Sequence, residues 1–599
     1  VSLDGQWDFA IDARAELSRP EQVSWSRKIE VPFAPETKAS GIGDTSFFCA
    51  VWYRREFERP KMSAGERLIL HFGAVDYRAR VWVNGVEVCA HEGGYTPFWI
   101  DMTGVLNGKG LQEVVVRAGD DPLDLEKPRG KQDWKLEPHS IWYPRTTGIW
   151  QTVWMEVVPQ VYLESLRWTS NMERWEVGLE AHVLGHLPEG AKLTVKIWSA
   201  EQQLVDDSYC FVNGPLGGAS LASSELHRRI ALSDPGIDDF RNDLLWSPQK
   251  PTILDVELKL IDSSGEVLDE VSSYTALRSV AVQGDRFTLN GRPWPLRLVL
   301  DQGYWEDSGQ TAPDDDAFVR DILLVKALGF NGVRKHQKIE DPRFLYWADH
   351  LGLLVWEEMP SAYRYTQRSV ERLTREWIEV MKRDWSHPSV ITWVPFNESW
   401  GVPDLPDSAA QRHYVQALYH LTKTLDPTRP VIGNDGWESV ATDMVGIHDY
   451  DDKPDRIARR YGIDEVEARL FEFERPGGRI LRLGGDGGER LPIVLTEFGG
   501  IALRTGDEDT WGYSVCRTPK DLEQRYCSLL NVVRQLPSLA GFCYTQLTDT
   551  FQEANGLLYM DRTPKFSLDQ AAEATSGFVP DEKDQNVLLW RKRLMKLQR

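Results

Sequence analysis

The chain has 599 residues and a formal charge of −22, from 69 basic and 91 acidic side chains. So long a chain outgrows a single hydrophobic core and is expected to divide into several domains. A surface this acidic repels phosphate backbones and anionic lipid, and no apolar run reaches the 18 residues of a membrane-spanning helix, so no nucleic-acid or membrane partner is expected.

Six cysteines (Cys49, Cys89, Cys210, Cys516, Cys527, Cys543) are scattered without a CxxC pair, which argues against a zinc site or a disulfide framework. That usage fits a reducing compartment, so a cytoplasmic location is expected, although a chain beginning at Val1 is compatible with a trimmed export signal. The 24 tryptophans are the compositional excess. Most are expected to pack large β-domains, a few to stack on sugar faces.

Residues 1–158 read as short strands, Val51–Phe57, Arg67–Phe72, Ala79–Val83 and Val114–Arg117, with a hairpin dipeptide at Asn84-Gly85 and a loop at Gly93-Gly94. No helical period interrupts them, which predicts a β jelly roll. Residues 159–280 continue in strands (Ala191–Trp198, Thr252–Ile261, Ser272–Arg278) around an expected loop at Asn213–Ser224, the size of an immunoglobulin-like β-sandwich. From 281 to 599 apolar strands alternate with helices such as Asp314–Leu328, the pattern of parallel βαβ units. Eight candidate strands are Leu296–Leu300, Gly332–Lys335, Leu353–Glu357, Ile391–Pro395, Val431–Asn434, Met444–His448, Ile493–Thr496 and Gly541–Tyr544, so a C-terminal (β/α)8 TIM barrel is expected. A long insertion, Asp451–Leu491, falls where it can shape a site entrance.

Barrel sites lie at the C-terminal ends of the strands. Strand four runs into Asn397-Glu398 and strand seven into Thr496-Glu497-Phe498-Gly499-Gly500, so each sends one glutamate out at the same face. Glycosidic cleavage needs an acid on the leaving oxygen and a carboxylate at the anomeric carbon, and these two residues supply the pair. Asn397 is placed to hydrogen-bond a sugar hydroxyl. Acids near strand ends are common, and Asp301, Glu357, Glu358, Asp435, Asp449 and Asp549 also fall there. The joint Asn-Glu and Thr-Glu-Phe-Gly-Gly pattern singles out Glu398 and Glu497.

With these motifs, with Leu328-Gly329-Phe330-Asn331-Gly332-Val333-Arg334, and with Val81-Trp82-Val83-Asn84-Gly85 and Thr147-Gly148-Ile149-Trp150 in the jelly roll, the chain resembles glycoside hydrolase family 2 along essentially its whole length. The resemblance implies a retaining enzyme with Glu398 as acid/base and Glu497 as nucleophile. It also implies that Arg334 holds the nucleophile ionised and that Tyr450 hydrogen-bonds it. Position at strand ends adds His336, Gln546 and Asp549 as substrate contacts, with Trp437, Trp511 and Tyr544 as stacking candidates. Glu553 and Asn555 follow strand eight and could line the pocket. His448-Asp449-Tyr450 offers metal-ligand types, but sugar contacts or core hydrogen bonds explain them better, so no metal and no cofactor is expected.

Two departures bear on the substrate. The Asn-x-Lys motif with which β-glucuronidases grip the sugar carboxylate is replaced by Asn555-Gly556-Leu557. The aspartate that familiar relatives send from the jelly roll aligns with Trp142, leaving Asp301 as a candidate to meet that hydroxyl. The expected partner is thus a carbohydrate substrate, and the expected activity is exo-acting release of a terminal neutral sugar, β-galactosidase-like. An arabinosidase or galactofuranosidase of the family, a β-glucuronidase, a transglycosylase and a non-catalytic carbohydrate-binding protein remain alternatives, with assembly into a homo-oligomer left open.

Overall fold

The computed structural model describes residues 1–578 apart from 109, 212–222, 233–241, 463–469, 472–475, 484–489 and 507–509. The first unit is a β-sandwich. A six-stranded antiparallel sheet runs in the order Arg27–Val31, Gly5–Asp12, Ala50–Glu58, Leu111–Gly119, Arg78–Val83, Val86–Glu92, against a three-stranded sheet of Val153–Val158, Arg67–Phe72 and Phe98–Asp101. Alternating side chains from both faces, among them Trp7, Phe9, Val51, Tyr53, Leu70, Phe72 and Val116, form its core. The dipeptide Asn84-Gly85 makes the expected hairpin: both residues have positive φ, 49° and 79°, which suits a tight turn matched to strand twist.

The second unit packs a three-stranded sheet (Tyr162–Asn171, Glu176–Leu184, Ser223–Ala231) on a four-stranded one (Gln202–Cys210, Lys192–Ser199, Leu254–Ile261, Val267–Thr275). The loop expected at Asn213–Ser224 lies outside the described residues except at Ser223 and Ser224, which open a strand. The strand expected to begin at Ser272 begins at Val267 instead. Its first half, with Asp269 and Glu270, lacks an apolar alternation, and backbone pairing with Leu254–Ile261 holds it in place.

In the third unit seven parallel strands run in the order fourth, third, second, first, eighth, seventh, sixth: Val390–Val394, Leu354–Glu358, Gly332–Lys335, Leu296–Asp301, Leu539–Thr545, Ile493–Gly499, Val445–His448. The fifth position is filled by 431–435, which bridges the fourth strand at Trp393–Val431 and Asn397–Asp435 without forming a regular strand. The apolar run there is real, but Val431 gives its N–H to Asp443 Oδ2 (2.9 Å) and takes the Asp443 N–H (2.8 Å), so it folds back locally. Strand alternation separates two layers. Leu298, Leu300, Trp356, Val394, Val494 and Cys543 fill the inside, while Val299, Val333, Trp393, Ile447 and Tyr544 face the helices. The helix after the first strand runs Asp315–Ala327, its N-terminus capped by Asp314 Oδ1 on Ala317 N at 2.8 Å. Among the described residues no helix is long and apolar enough to cross a membrane.

Candidate active site

Two local irregularities aim the glutamates. After the fourth strand, Glu398 and Ser399 both adopt left-handed backbone, at φ 49° and 55°. For residues with a Cβ this costs about 1–3 kcal/mol each. The turn is held by Glu398 N donating to Asp435 O (2.9 Å), Ser399 N to Asn434 Oδ1 (3.0 Å) and Ser399 Oγ to Glu438 Oε2 (2.7 Å). In the seventh strand the register slips between Leu495 and Phe498 against the eighth strand and opposite Ile447/His448 of the sixth. This bulge turns two consecutive residues toward the mouth. Thr496 Oγ1 donates to Asp435 Oδ1 at 2.8 Å, and Glu497 reaches Arg334.

Arg334 is fully buried and satisfied by anions: Nη1 to Glu497 Oε1 at 2.8 Å, Nη2 to Glu358 Oε2 at 2.7 Å and to Asp435 Oδ2 at 3.1 Å, with Asn397 Oδ1 accepting from Nη2 at 2.6 Å. A buried guanidinium is tolerable because its fork meets carboxylates directly. The Tyr450 hydroxyl donates to the other oxygen, Glu497 Oε2, at 2.5 Å. His448 lies between the two glutamates, Nδ1 2.7 Å from Glu398 Oε1 and Nε2 3.4 Å from Glu497 Oε1.

Electrostatics favours an anionic Glu497. Burial works to raise the Glu497 carboxyl, but His448, Arg334, His336 and the Tyr450 hydroxyl together hold it well below the usual carboxylate range. Burial opposes a proton on His448, yet Glu497, Asp435 and Glu398 raise it to about 10. Glu358 is likewise held down despite burial, by Arg334, His336 and Gln337.

Of the other residues expected at the site, Asn397 is buried beside Glu398 with its Nδ2 unpaired among the described residues, free to meet a hydroxyl. His336 Nδ1 lies 3.0 Å from Glu358 Oε1 and 4.0 Å from Glu497 Oε1. Gln546 accepts from Gln302 Nε2 at 2.9 Å. Trp511 sits edge-on to Tyr513 at 4.7 Å, and Tyr513 stacks on Tyr450 at 3.3 Å. Four have other partners. Asp301 is occupied by Lys335 Nζ (2.7 Å) and Gly303 N (2.9 Å), and Asp549 by Lys565 Nζ (2.6 Å) and Gly556 N (2.9 Å). Trp437 lies under the Arg479 guanidinium at 3.9 Å. Tyr544 is one residue out of phase: its ring packs on the helix side against Phe498 and Tyr526, while Thr545 points to Tyr450 at 3.2 Å.

Glu358 and Asp435 complete the anionic shell of Arg334, yet in the sequence they are two of several acids near strand ends. Their one distinguishing signal is a shared buried arginine, which only the fold reveals. In the insertion, Pro454–Tyr461 forms a helix whose Arg460 pairs with Asp449, and together with Tyr450, Tyr513, Pro476 and Gly477 it borders a cleft of about 470 Å³ beside the cluster. Oxygens of Glu398 and Glu497 and a nitrogen of His448 lie within 4.8 Å of one another, close enough to embrace a divalent cation. Such an ion would compete with Arg334 and Tyr450 for Glu497.

The family model described as glycosyl hydrolases family 2, TIM barrel domain, matches residues 280–457, and that for the family 2 sugar binding domain matches 44–154. A β-galactosidase of Thermoanaerobacter pseudethanolicus is 25% identical over 388 residues, 64% of this chain, so the match spans about half (48%) of that relative's length. The human β-glucuronidase is 26% identical over 471 residues, covering 72% of this chain and 67% of its own. Among solved structures, a family 2 β-galacturonidase from Eisenbergiella tayi superposes with a TM-score of 0.72 at 19% identity, over 96% of both chains. Bacteroides uniformis β-glucuronidase 2 gives 0.75 at 20%, over 97% of this chain and 69% of that one. At such identities the structural likeness speaks for the fold. With both family models matched on a barrel that presents the paired glutamates, the chain belongs to glycoside hydrolase family 2.

Proposed function

We propose that this chain is a retaining, exo-acting glycoside hydrolase that releases a terminal neutral sugar by double displacement. The carrying observation is the closeness of the two carboxyl groups: ligand atoms of Glu398 and Glu497 fall within 4.8 Å, while Arg334 and Tyr450 hold Glu497 as a charged nucleophile. Retaining enzymes hold their pair about 5–5.5 Å apart, and inverting ones leave about 6.5–9.5 Å for a water. Glu497 attacks the anomeric carbon as Glu398 protonates the leaving oxygen. Glu398, now a base, then activates water to break the glycosyl ester.

The relatives carry the names β-galactosidase, β-glucuronidase and β-galacturonidase, so their names do not choose a sugar. A neutral one is favoured because Asn555-Gly556-Leu557 lacks a lysine, and because the buried Arg334 beside the pair is already matched by Glu358, Asp435 and Glu497.

Glu497→Ala should lower turnover of every glycoside by about 10⁴-fold or more. Glu398→Ala should lose about 10²–10⁴-fold on poor leaving groups, much less on activated aryl glycosides, with azide restoring rate. Equal loss in both variants on an activated substrate, without azide rescue, would overturn the assignment.

A further inference from the structure

A cation at the mouth, Lys131, lacks a counter-ion in direct contact. It comes from the jelly roll, on the loop that runs from the strand ending at Gly119 to the one beginning at Gly148. The residue is only 5% exposed, yet among the described residues its ammonium makes no hydrogen bond and no ion pair within 4.0 Å. That ammonium sits 5.0 Å over the Trp400 ring, two residues beyond Glu398. The side chain is mostly covered while its ammonium keeps access to the mouth and has no anion in contact, so the position can take a partner that arrives with the substrate.

The loop is fixed too firmly for the lysine to swing away. Gly130 has φ +56°, and a Cβ there would lie 2.2 Å from Gln337 O, so the backbone runs tight against the barrel. Arg129 N and Gly130 N donate to Ser361 O at 3.1 and 3.2 Å, and the Tyr363 hydroxyl donates to Gly130 O at 2.8 Å. The Arg129 guanidinium binds the carbonyls of Pro122, Gln132 and Asp133, stiffening the same turn.

Tyr143, whose N–H donates to Lys131 O at 2.8 Å, gives its hydroxyl to Glu553, which is 2% exposed and also accepts from Asn555 Nδ2 (3.0 Å). Burial raises its carboxyl above the ordinary value, with the Lys131 charge the largest opposing influence and the Glu497 charge adding to the rise. A donor-only cation near an acceptor-only carboxylate without direct contact is matched by a group that both accepts and donates. A hydroxyl is such a group. A sugar carboxylate would satisfy Lys131 but be repelled by Glu553.

We propose that Lys131 and Glu553 form a clamp, one jaw from the jelly roll and one from the barrel, that reads a single hydroxyl of a neutral terminal sugar. Lys131 donates to the hydroxyl oxygen and Glu553 accepts its proton. The inference rests on the glycosidase reading and adds the substrate class.

The test uses the full chain and a panel of aryl glycosides with their monodeoxy analogues. In the parent, removing one particular hydroxyl should lower kcat/KM by at least about 100-fold. Lys131→Met should cause a similar loss on the complete sugar and little further loss on that one deoxy analogue. Loss below threefold, or equal loss on every analogue, would overturn the clamp. So would faster turnover of an aryl uronide than of its neutral counterpart, with the preference abolished in Lys131→Met, since the lysine would then bind a carboxylate. If Lys131→Met fails to fold, Glu553→Gln gives the same comparison. Should the parent cleave none of the panel, the glycosidase reading falls, and the clamp is judged by calorimetric binding of the free sugars. Equal affinity in parent and Lys131→Met would then overturn it separately.

Discussion

His448 lies between the two candidate glutamates, 2.7 Å from Glu398 and 3.4 Å from Glu497. Its ring nitrogens lie near Glu398, Asp435 and Glu497, and the buried imidazolium offsets part of the charge that Glu497 and Glu358 bring to Arg334. The sign of its effect follows from the direction of each shift. Glu497 titrates below its ordinary range, so its ionised form, and the stability that comes with it, persists down to low pH and is lost only as pH falls through the depressed value. His448 is raised to about 10, so its contribution is complete below its ordinary value and fades as pH climbs through 10. His448→Asn removes the largest charge that lowers Glu497, and the acid limb of kcat/KM should move up by about one unit or more. An unmoved acid limb would show that Arg334 and Tyr450 suffice alone. At this scale the sequence was uneven. Strand ends and motifs single out Glu398 and Glu497, resemblance adds Arg334 and Tyr450, and the fold brings the four side chains together. Tyr544 turns its ring to the helix side and Asp301 is paired with Lys335, because one residue of strand phase, or one neighbouring lysine, decides where a side chain goes, and neither shows in residue type.

Among the elements, the segment 431–436 carries more than its sequence announces. It closes the barrel on the fourth strand, lends Asp435 to Arg334 and Thr496, and then passes Gly436 directly beneath His448. Gly436 has φ +82°, and a Cβ there would fall 2.4 Å from three atoms of the imidazole ring. Gly436→Ala therefore combines a backbone cost of about 1 kcal/mol with displacement of His448. It should lower kcat by about tenfold or more, since a displaced imidazolium no longer serves either glutamate. The hairpin glycine Gly85 shares the same φ range, at +79°, but a methyl group there would meet nothing within 4 Å, so Gly85→Ala should lower the melting temperature without touching kcat. Equal kinetic effects in the two variants would refute the packing argument. Periodicity reveals the apolar run at Val431–Asn434, but Asp443 claims the edge of Val431, and such side-chain competition for backbone groups lies outside what periodicity records.

For the molecule as a whole, the change from strands to alternating strands and helices near residue 281 was plain in the sequence, because each architecture imposes its own hydrophobic period. The reach of the jelly roll into the barrel came only through the resemblance, which set Trp142 in the place of the relatives' aspartate, and the contacts themselves show in no local pattern. Trp142 Nε1 donates to the Tyr363 hydroxyl at 2.8 Å, Tyr143 binds Glu553, and Gln552 Nε2 donates to Trp142 O at 2.7 Å, so the mouth is walled by two domains distant in sequence. These contacts depend on the docking of finished domains, which no local pattern specifies. On the proposed double displacement the sugar's anomeric carbon lies between Glu398 and Glu497, and its fate is decisive. Proton NMR of an aryl glycoside reaction at early times, before mutarotation, observes that carbon's proton directly. Double displacement through Glu497 predicts that the first sugar released keeps the anomeric configuration of the substrate, and first appearance of the opposite anomer would contradict it.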